Sequence, residues 1–241
     1  MLGTTPAGTE TEQQASRWVR DMFGRIAPRY DLLNHLLSMN IDRHWRARTV
    51  SRVAEVLARP EARVLDVACG TGDLTAALAN RSEGARVFGT DFCHPMVQAA
   101  NRKLASSRLF EADALGLPVA DGSLDLATIA FGFRNLTNYR EGLKELRRVL
   151  KAGGTLAILE FSTPPNALIA ALYGFYSRHV LPAIGGMLSG SRDAYIYLPE
   201  SVRKFPDADG LAQQMREAGF VNVRFERMTA GIVALHLGDR G

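Results

Sequence analysis

The sequence predicts a doubly wound α/β fold, in which helices cover both faces of a mostly parallel sheet of seven strands. From residue 63 to residue 161, short apolar strands alternate with amphipathic helices, the pattern of parallel strands joined by helical crossovers. The last two strands, near 221–227 and 230–237, are separated by a link too short for a crossover. They therefore predict an antiparallel hairpin at the end of the sheet.

The individual elements follow from periodicity and from the residues that flank each run. Apolar runs predict strands at 63–67, 86–90, 109–112, 124–130, 155–161, 221–227 and 230–237. Helical spacing predicts helices at 14–28, 30–38, 73–80, 94–104, 139–150 and 207–218, and one for which Asp42 is the expected N-cap. Asn138 and Glu141 predict a capping box, and Gly153-Gly154 are expected to end the helix that it starts.

Length and composition predict one domain of a cytoplasmic protein. The chain has 241 residues, of which 46% are hydrophobic and 22% charged, as is typical of globular proteins. We expect a disordered tail at 1–16 and a single domain at 17–241, with N-terminal helices at 17–58 and a helical insertion at 163–200. The two cysteines lack a CxxC or Cys/His pattern and no secretion signal is recognisable, which argues against a zinc site and against export.

The positive charge is concentrated in the N-terminal helices. Nine arginines lie between Arg17 and Arg59, against four acidic residues, and the chain as a whole carries +4. This stretch is either a solvated helix surface or a basic face for an anionic membrane or a nucleic acid. No separate RNA-binding module and no basic motif with interleaved aromatic residues is present, so no nucleic acid partner is expected.

A glycine-rich turn follows the first strand and predicts a nucleotide-type cofactor site. The strand ends at Asp66-Val67, and Ala68-Cys69-Gly70-Thr71-Gly72 precede the next helix. A dinucleotide fingerprint needs a third glycine, which is absent here, and this disfavours a nicotinamide dehydrogenase. The run resembles motif I of the class I S-adenosylmethionine (SAM) methyltransferases, D-x-G-x-G-x-G, with Ala68 at the first glycine. An alanine fits there if its backbone stays out of the left-handed region.

This resemblance implies SAM as the methyl donor and a Rossmann-like methyltransferase fold. Gly70 and Gly72 let the backbone approach the methionine part of the cofactor, and Thr71 offers a hydroxyl in the same turn. Asp91 ends the second strand and is expected to accept hydrogen bonds from the ribose hydroxyls. Asp66 either holds the turn or meets the cationic cofactor.

Four more residues complete the expected cofactor site. Asp113 follows the third strand and would accept from the exocyclic amine of adenine, while the N–H of Ala114 would donate to the ring. Met96 would pack on adenine, although a core position is an alternative. Ala130, at the end of the fourth strand, is included in the cofactor contacts.

Several longer stretches resemble the ubiquinone/menaquinone biosynthesis C-methyltransferases. These stretches are YDLLNHLLS at 30–38, FGFRNLT at 131–137, RVLKAGG at 148–154 with EFS at 160–162, YIYLPESV at 195–202 and TAGIVALH at 229–236. The similarity spans about residues 20–238 and is much more specific than motif I. Asn40 stands where that family usually has glycine, and Ala152 where it usually has proline, which leaves the preferred quinol open.

The resemblance implies methyl transfer to a ring carbon of a polyprenylated quinol, with no metal. A phenolic hydroxyl has a pKa of about 10, so a nearby cation or donor must favour the phenolate. Arg134 is the first candidate for that cation, with a structural ion pair as its alternative. Asn135 would orient the ring oxygen. Tyr30 would donate a second hydrogen bond, or else pack between the N-terminal helices.

The expected activity is conversion of a demethylmenaquinol to menaquinol, with the methoxy-benzoquinol precursor of ubiquinone as an alternative or additional acceptor. Remoter alternatives are another small-molecule methyltransferase, an RNA methyltransferase and a non-catalytic SAM-binding subunit. The insertion at 163–200 is apolar but too interrupted for a membrane span, and it is expected to act as a lid that receives the polyprenyl tail. Peripheral membrane contact and a homodimer stay open, and His179 is a candidate general base with a structural role as its alternative.

Overall fold

The computed structural model describes residues 3–31, 38, 40–104, 108–176 and 192–241. Its centre is one sheet with the strands β1 (Arg63–Val67), β2 (Arg86–Asp91), β3 (Leu109–Glu111), β4 (Leu124–Ala130), β5 (Leu150–Phe161), β6 (Phe220–Met228) and β7 (Val233–Arg240). The order is β3-β2-β1-β4-β5-β7-β6, and only β7 runs antiparallel to both of its neighbours. The predicted doubly wound sheet with a terminal hairpin is therefore confirmed.

Helices cover both faces of the sheet. They are α1 (Glu12–Ile26), α2 (Ile41–Arg52), α3 (Ala54–Leu57), α4 (Asp73–Arg81), α5 (His94–Lys103), α6 (Tyr139–Val149), α7 (Ala167–Phe175), α8 (Arg192–Lys204) and α9 (Ala208–Glu217). Most of the helix predicted at 30–38 lies outside the described residues. Within the described part of the chain, no helix is long and apolar enough to cross a bilayer.

Two hydrophobic layers hold the helices on the sheet. Leu143 and Leu146 of α6 pack with Leu211 of α9 on one face, and Leu57 and Leu78 pack on the other. The central strands are apolar on both sides, as parallel strands under two helix layers must be. Because β1, β2, β4 and β5 run parallel, their carboxyl ends meet at one edge of the sheet, where ligands bind in folds of this type.

The N-terminal segment is ordered, contrary to the expected disordered tail. Thr11 caps α1 in a full capping box with Gln14. Before it, Thr4 is buried: its N–H donates to the Leu136 carbonyl at 2.8 Å, and its hydroxyl pairs with the Tyr197 hydroxyl at 2.7 Å. These tertiary hydrogen bonds, which composition does not reveal, order residues 3–16 against the domain.

Two predicted helix ends are wrong. Asn40, not Asp42, is the N-cap of α2, and it holds a left-handed backbone (φ 62°) that asparagine tolerates better than most residues. Helix α6 starts as predicted, with Asn138 accepting from the Glu141 N–H, but it ends at Val149 rather than at Gly153-Gly154. The chain turns early because Leu150 already pairs with β4.

The turn after β1 packs closely against the turn after β4. Ala68 has φ 51°, so an alanine occupies this position although the condition set for it, a backbone outside the left-handed region, is not met. A Cβ added to Gly132 would lie 2.6 Å from the Ala68 Cβ. Gly132 itself has φ −106°, so its need for glycine is steric and not conformational. The methyl group at position 68 therefore restricts position 132.

We expect Gly132→Ala to lower the free energy of unfolding by about 1–3 kcal/mol, because the added methyl group overpacks this contact. The same substitution in an Ala68→Gly background should cost less, because the opposing methyl group is gone. Urea unfolding of the two single variants and the double variant measures this coupling. An equal cost of Gly132→Ala in both backgrounds would show that the two turns do not restrict each other.

Candidate active site

A cavity of about 700 Å³, including its open mouth, lies at the carboxyl edge of the sheet. We call it the glycine-loop cavity. Its lining includes eight of the predicted site residues: Tyr30, Gly70, Asp91, Met96, Asp113, Ala114, Ala130 and Asn135. Apart from Tyr30, which follows the N-terminal helix, these residues meet here because each ends or follows one of the neighbouring parallel strands.

Asp91 is the acidic residue of this cavity best placed for a ribose. Its Oδ2 accepts from the Gly70 N–H and its Oδ1 from the Cys93 N–H, both at 2.9 Å. Burial raises the pKa of this carboxyl to about 6. Each carboxylate oxygen has a second lone pair, so Asp91 keeps acceptor capacity for two hydroxyl donors.

The expected adenine contacts lie together on another wall. Asp113 accepts from the Leu115 N–H at 2.9 Å, which fixes its carboxylate in the turn after β3. Met96 and Ala114 are buried beside it, and Ala130 ends β4 across the cavity. Apolar side chains beside one fixed carboxylate match the faces and the exocyclic amine of a purine.

Three candidates for cofactor contact, Asp66, Thr71 and Gly72, make contacts within the protein that support the turn. The Asp66 carboxylate accepts from the Thr75 and Thr128 hydroxyls at 2.6 and 2.8 Å, and burial raises its pKa to about 6. The Thr71 hydroxyl donates to Asp31. Gly72 has φ 85° and precedes α4, where an added Cβ would lie 3.0 Å from Leu104. None of these three residues is among those that line the glycine-loop cavity.

The glycine loop fits a bulky cofactor because its wall is bare backbone. Gly70 has φ 57°, and a Cβ placed there would lie 3.6 Å from the Tyr30 ring across the cavity. A side chain at this position would fill the space between the loop and Tyr30. The residues present therefore fit SAM: bare backbone at Gly70, a carboxylate for the ribose and an apolar slot for the base.

A second, larger cavity adjoins the first. We call it the apolar groove; it measures about 1310 Å³ including open solvent, and Ile41, Ile169, Leu172 and Leu198 are among its lining residues. Tyr30 and Phe131 line both cavities, so they mark where the two meet. The insertion predicted to act as a lid contributes α7 to this groove. An elongated apolar molecule in the groove would thus reach the glycine-loop cavity with one end.

Arg134 lines the apolar groove as one half of a buried ion pair. Its Nη1 lies 2.9 Å from Glu160 Oε1, and its backbone N–H donates to Oε2 at 3.2 Å. Nη1 also donates to the Phe131 carbonyl. Burial lowers the pKa of Arg134, but the Glu160 carboxylate together with Tyr197 and Tyr30 outweighs burial and holds this pKa above its ordinary value. The structural ion pair considered from the sequence is present, and the guanidinium borders the groove as well.

The side-chain amide of Asn135 is engaged with two protein partners. Its Oδ1 accepts from the Tyr197 hydroxyl at 3.0 Å and its Nδ2 donates to the Phe131 carbonyl at 3.3 Å. It lines the glycine-loop cavity and is not among the lining residues of the groove. A ring oxygen in the groove would therefore meet Arg134 and not Asn135, whose amide fastens α8 to the turn after β4.

Sequence reasoning missed Phe131 and Glu160 as site residues. Glu160 had a usable signal, since a charged residue at the end of the apolar β5 faces the ligand edge of the sheet. Phe131 begins the stretch FGFRNLT, but nothing in the sequence shows the left-handed backbone (φ 57°) that it adopts at the site. Of the histidines, His179 lies outside the described residues, and His236 is structural: it bonds the Ala208 carbonyl, and burial lowers its pKa to about 4.

We expect Asp91→Ala to weaken binding of S-adenosylhomocysteine roughly 10- to 100-fold, since hydrogen bonds to a charged group contribute about 1.5–3 kcal/mol. In the unaltered protein, affinity should fall as the pH drops through about 6, because the Asp91 carboxylate is then neutralised. Calorimetry from pH 5 to pH 8 tests both effects.

Asp91→Ala should also remove this pH dependence. Its thermal midpoint has to be recorded in parallel, because the Gly70 and Cys93 N–H groups lose their acceptor. Unchanged affinity in a folded variant would exclude the ribose role of Asp91.

Known proteins resemble this chain over almost its whole length. It matches the model of the ubiE/COQ5 methyltransferase family over residues 9–240. It is 49% identical over 223 residues to a demethylmenaquinone methyltransferase of Thermus thermophilus, covering 91% of this chain and 100% of the relative. It is 46% identical over 225 residues to the ubiquinone/menaquinone biosynthesis C-methyltransferase UbiE of Syntrophotalea carbinolica, covering 92% of this chain and 93% of the relative.

Solved structures share the fold at much lower identity. A SAM-dependent methyltransferase from Thermotoga maritima superposes with a TM-score of 0.65 at 18% identity, covering 92% of this chain and 99% of that one. The [4+2]-cyclase SpnF gives 0.66 at 18% identity, covering 100% and 99%. A cyclase with this fold shows that the fold alone does not specify the reaction. The family match does specify it: the chain belongs to the ubiE/COQ5 methyltransferase family and is a SAM-dependent methyltransferase.

Proposed function

We propose that this methyltransferase methylates a ring carbon of a polyprenylated quinol, with a demethylmenaquinol as its preferred acceptor. The names of the relatives from Thermus thermophilus and Deinococcus radiodurans, both demethylmenaquinone methyltransferases, support this acceptor. Relatives named for both ubiquinone and menaquinone biosynthesis keep the methoxy-benzoquinol precursor of ubiquinone as the second candidate.

The observation that carries the proposal is the shared wall of the two cavities. Tyr30 and Phe131 line both, so the head of a molecule in the apolar groove would lie beside the cofactor. Phe131, Phe161 and Trp45 form an aromatic cluster along the groove, with ring centroids 4.9–6.3 Å apart. Such a surface suits a flat aromatic ring, and the aliphatic remainder of the groove suits a prenyl chain.

The chain contributes electrostatics and position to the reaction. SAM, when bound, supplies an electrophilic methyl group. Arg134 favours the ionised form of an adjacent ring hydroxyl, and ionisation makes the neighbouring ring carbon nucleophilic. Its Nε is buried with no hydrogen-bond partner among the described residues, so the guanidinium retains donor capacity. Glu160 holds that guanidinium in place and Tyr30 stands at the boundary of the two cavities.

Radiolabelled SAM and chemically reduced short-chain demethylmenaquinone test the proposal. We expect label in the naphthoquinol, little in the methoxy-benzoquinol precursor and none in the oxidised quinones, because only a quinol hydroxyl can ionise to activate the ring. Equal labelling of both quinols would indicate an enzyme of both pathways. No label in either quinol, with binding of S-adenosylhomocysteine intact, would overturn the proposed acceptor.

We expect Arg134→Ala to reduce kcat by a factor on the order of 10² to 10³, as for the loss of one preorganised electrostatic donor. Affinity for S-adenosylhomocysteine should change little, because Arg134 is not among the residues that line the glycine-loop cavity. Steady-state kinetics measures the change in kcat, and calorimetry on the same preparation measures the change in affinity for S-adenosylhomocysteine. A parallel fall of both would mean that Arg134 only holds the structure, since its loss also leaves Glu160 buried without its partner.

We further propose that α7 contacts the membrane in which a polyprenylated substrate resides. Ile169 and Tyr173 of this helix line the apolar groove, while Leu168, Leu172 and Phe175 are 69%, 62% and 61% exposed. Exposed large apolar side chains on one short helix are typical of interfacial attachment. The arginines of α1 would add attraction to anionic headgroups.

Sedimentation with anionic liposomes at low salt tests this contact. We expect the unaltered protein to bind. The double variant Leu168→Ser/Phe175→Ser should bind severalfold less, because both of these apolar side chains no longer enter the interface. Val221→Ser is the matched control, since Val221 is also exposed (46%) but lies in β6, away from the groove. An equal loss in the control, or no binding by the unaltered protein, would contradict the proposal.

A further inference from the structure

One carboxylate borders the apolar groove within the described part of the chain. It belongs to Asp42, which lies in the first turn of α2 and is only 3% exposed. Its Oδ1 accepts from the Ser38 hydroxyl at 2.6 Å, and its Oδ2 pairs with the Arg46 guanidinium. A buried ionised group beside an apolar cavity is costly unless it is paired, and Asp42 has such a partner in Arg46.

The Asp42–Arg46 pair lies beside Phe131, which lines both cavities. The Arg46 guanidinium carbon lies 6.0 Å from the centre of the Phe131 ring, and Phe131 lines both cavities. Trp45, next to Arg46 in the chain, packs on the same ring at 5.8 Å. An acceptor ring placed for methylation at this wall would have the carboxylate of Asp42 in its surroundings.

Methylation of an aromatic carbon requires a base for a second proton. The ring carbon forms its bond to the methyl group as the methyl–sulfur bond breaks, and the electron pair of that bond stays on sulfur. The carbon then carries both hydrogen and methyl. When the hydrogen leaves as a proton, the C–H electron pair returns to the ring and restores aromaticity. This gain makes the proton strongly acidic, so a carboxylate is a sufficient base even when an arginine stabilises its charge.

The other titratable groups described around the groove are poor proton acceptors. Arg46 and Arg134 are cations. Tyr173 and Tyr176 are phenols, and burial raises the pKa of Tyr173 to about 12, which keeps it protonated. Tyr30 is also a phenol, suited to donating a hydrogen bond.

We infer that Asp42 accepts the proton that leaves the methylated ring carbon, an inference that rests on the proposed function. Asp42 is then a catalytic residue of the groove, and Arg46 is a positioning residue that holds its carboxylate. The competing explanation is purely structural, since an acidic side chain in the first turn also stabilises a helix.

A quinol deuterated at the acceptor carbon separates the two explanations. In the unaltered enzyme, methyl transfer should limit the rate, and the deuterated and ordinary quinols should react equally fast. We expect Asp42→Asn to lower kcat by about 10² or more, as for the loss of a general base. Proton removal then becomes slow, so the deuterated quinol should react measurably more slowly than the ordinary one. A structural defect alone would lower kcat without producing this isotope effect.

Asp73→Asn is the matched control. Asp73 Oδ2 lies 3.6 Å from Arg46 Nη2, so this variant also removes a negative charge beside Arg46, but Asp73 is not among the lining residues of the groove. It should show no isotope effect. Asp42→Glu is measured as well, because it keeps the charge of the pair but displaces the carboxylate by one methylene group. We expect it to fold and to show a smaller isotope effect.

The outcomes distinguish this inference from the function on which it depends. If the unaltered enzyme labels neither quinol, the proposed acceptor fails first. If it labels a quinol and the folded Asp42 variants show no isotope effect, the proposed function stands and Asp42 is not the base. An isotope effect confined to the Asp42 variants supports the inference.

Discussion

The buried pair of Arg134 and Glu160 is the interaction on which the site depends. A guanidinium and a carboxylate that are both almost fully buried lose much of their hydration, and only a close contact with further hydrogen bonds compensates for that loss. Glu160 makes the close contact by accepting from the Arg134 guanidinium, and it makes a further hydrogen bond by accepting from the Arg134 backbone N–H. The pair thereby joins the end of β5 to the turn after β4. It also leaves a positive charge beside a groove that is otherwise largely apolar, where electrostatic interactions are little screened.

The turn after β4 connects the two halves of the site. Phe131 holds a left-handed backbone that costs a non-glycine residue energy, and its carbonyl accepts from both Arg134 and Asn135. Phe131 also lines both the glycine-loop cavity and the apolar groove. Strain at such a position is maintained because the surrounding contacts determine it. The consequence is a fixed aromatic residue at the place where the glycine-loop cavity and the apolar groove meet.

Hydrogen bonds join distant segments of the chain around the glycine-loop cavity. Thr4 of the N-terminal segment and Asn135 of the turn both bond the Tyr197 hydroxyl, which α8 carries. Asp31 bonds Thr71 of the glycine loop and Lys103 of α5. The N-terminal segment and α8 are thus hydrogen-bonded to each other and to the turns that border the glycine-loop cavity. These hydrogen bonds fix the N-terminal segment and α8 on the edge of the sheet where the glycine-loop cavity lies.

The sequence by itself determined the sheet, its terminal hairpin and which strand-end residues line the glycine-loop cavity. Strand periodicity and the residue at each strand end are local properties, and parallel strands bring those ends together without further information. Tertiary structure decided what depends on contacts between distant residues. It chose the hydrogen-bond partners of Asp66 and Thr71, joined Asn135 to Tyr197 and ordered the N-terminal segment through Thr4. It also brought Glu160 to Arg134 and Asp42 to the groove, because hydrogen-bond partners of buried polar groups are chosen only when the chain has packed.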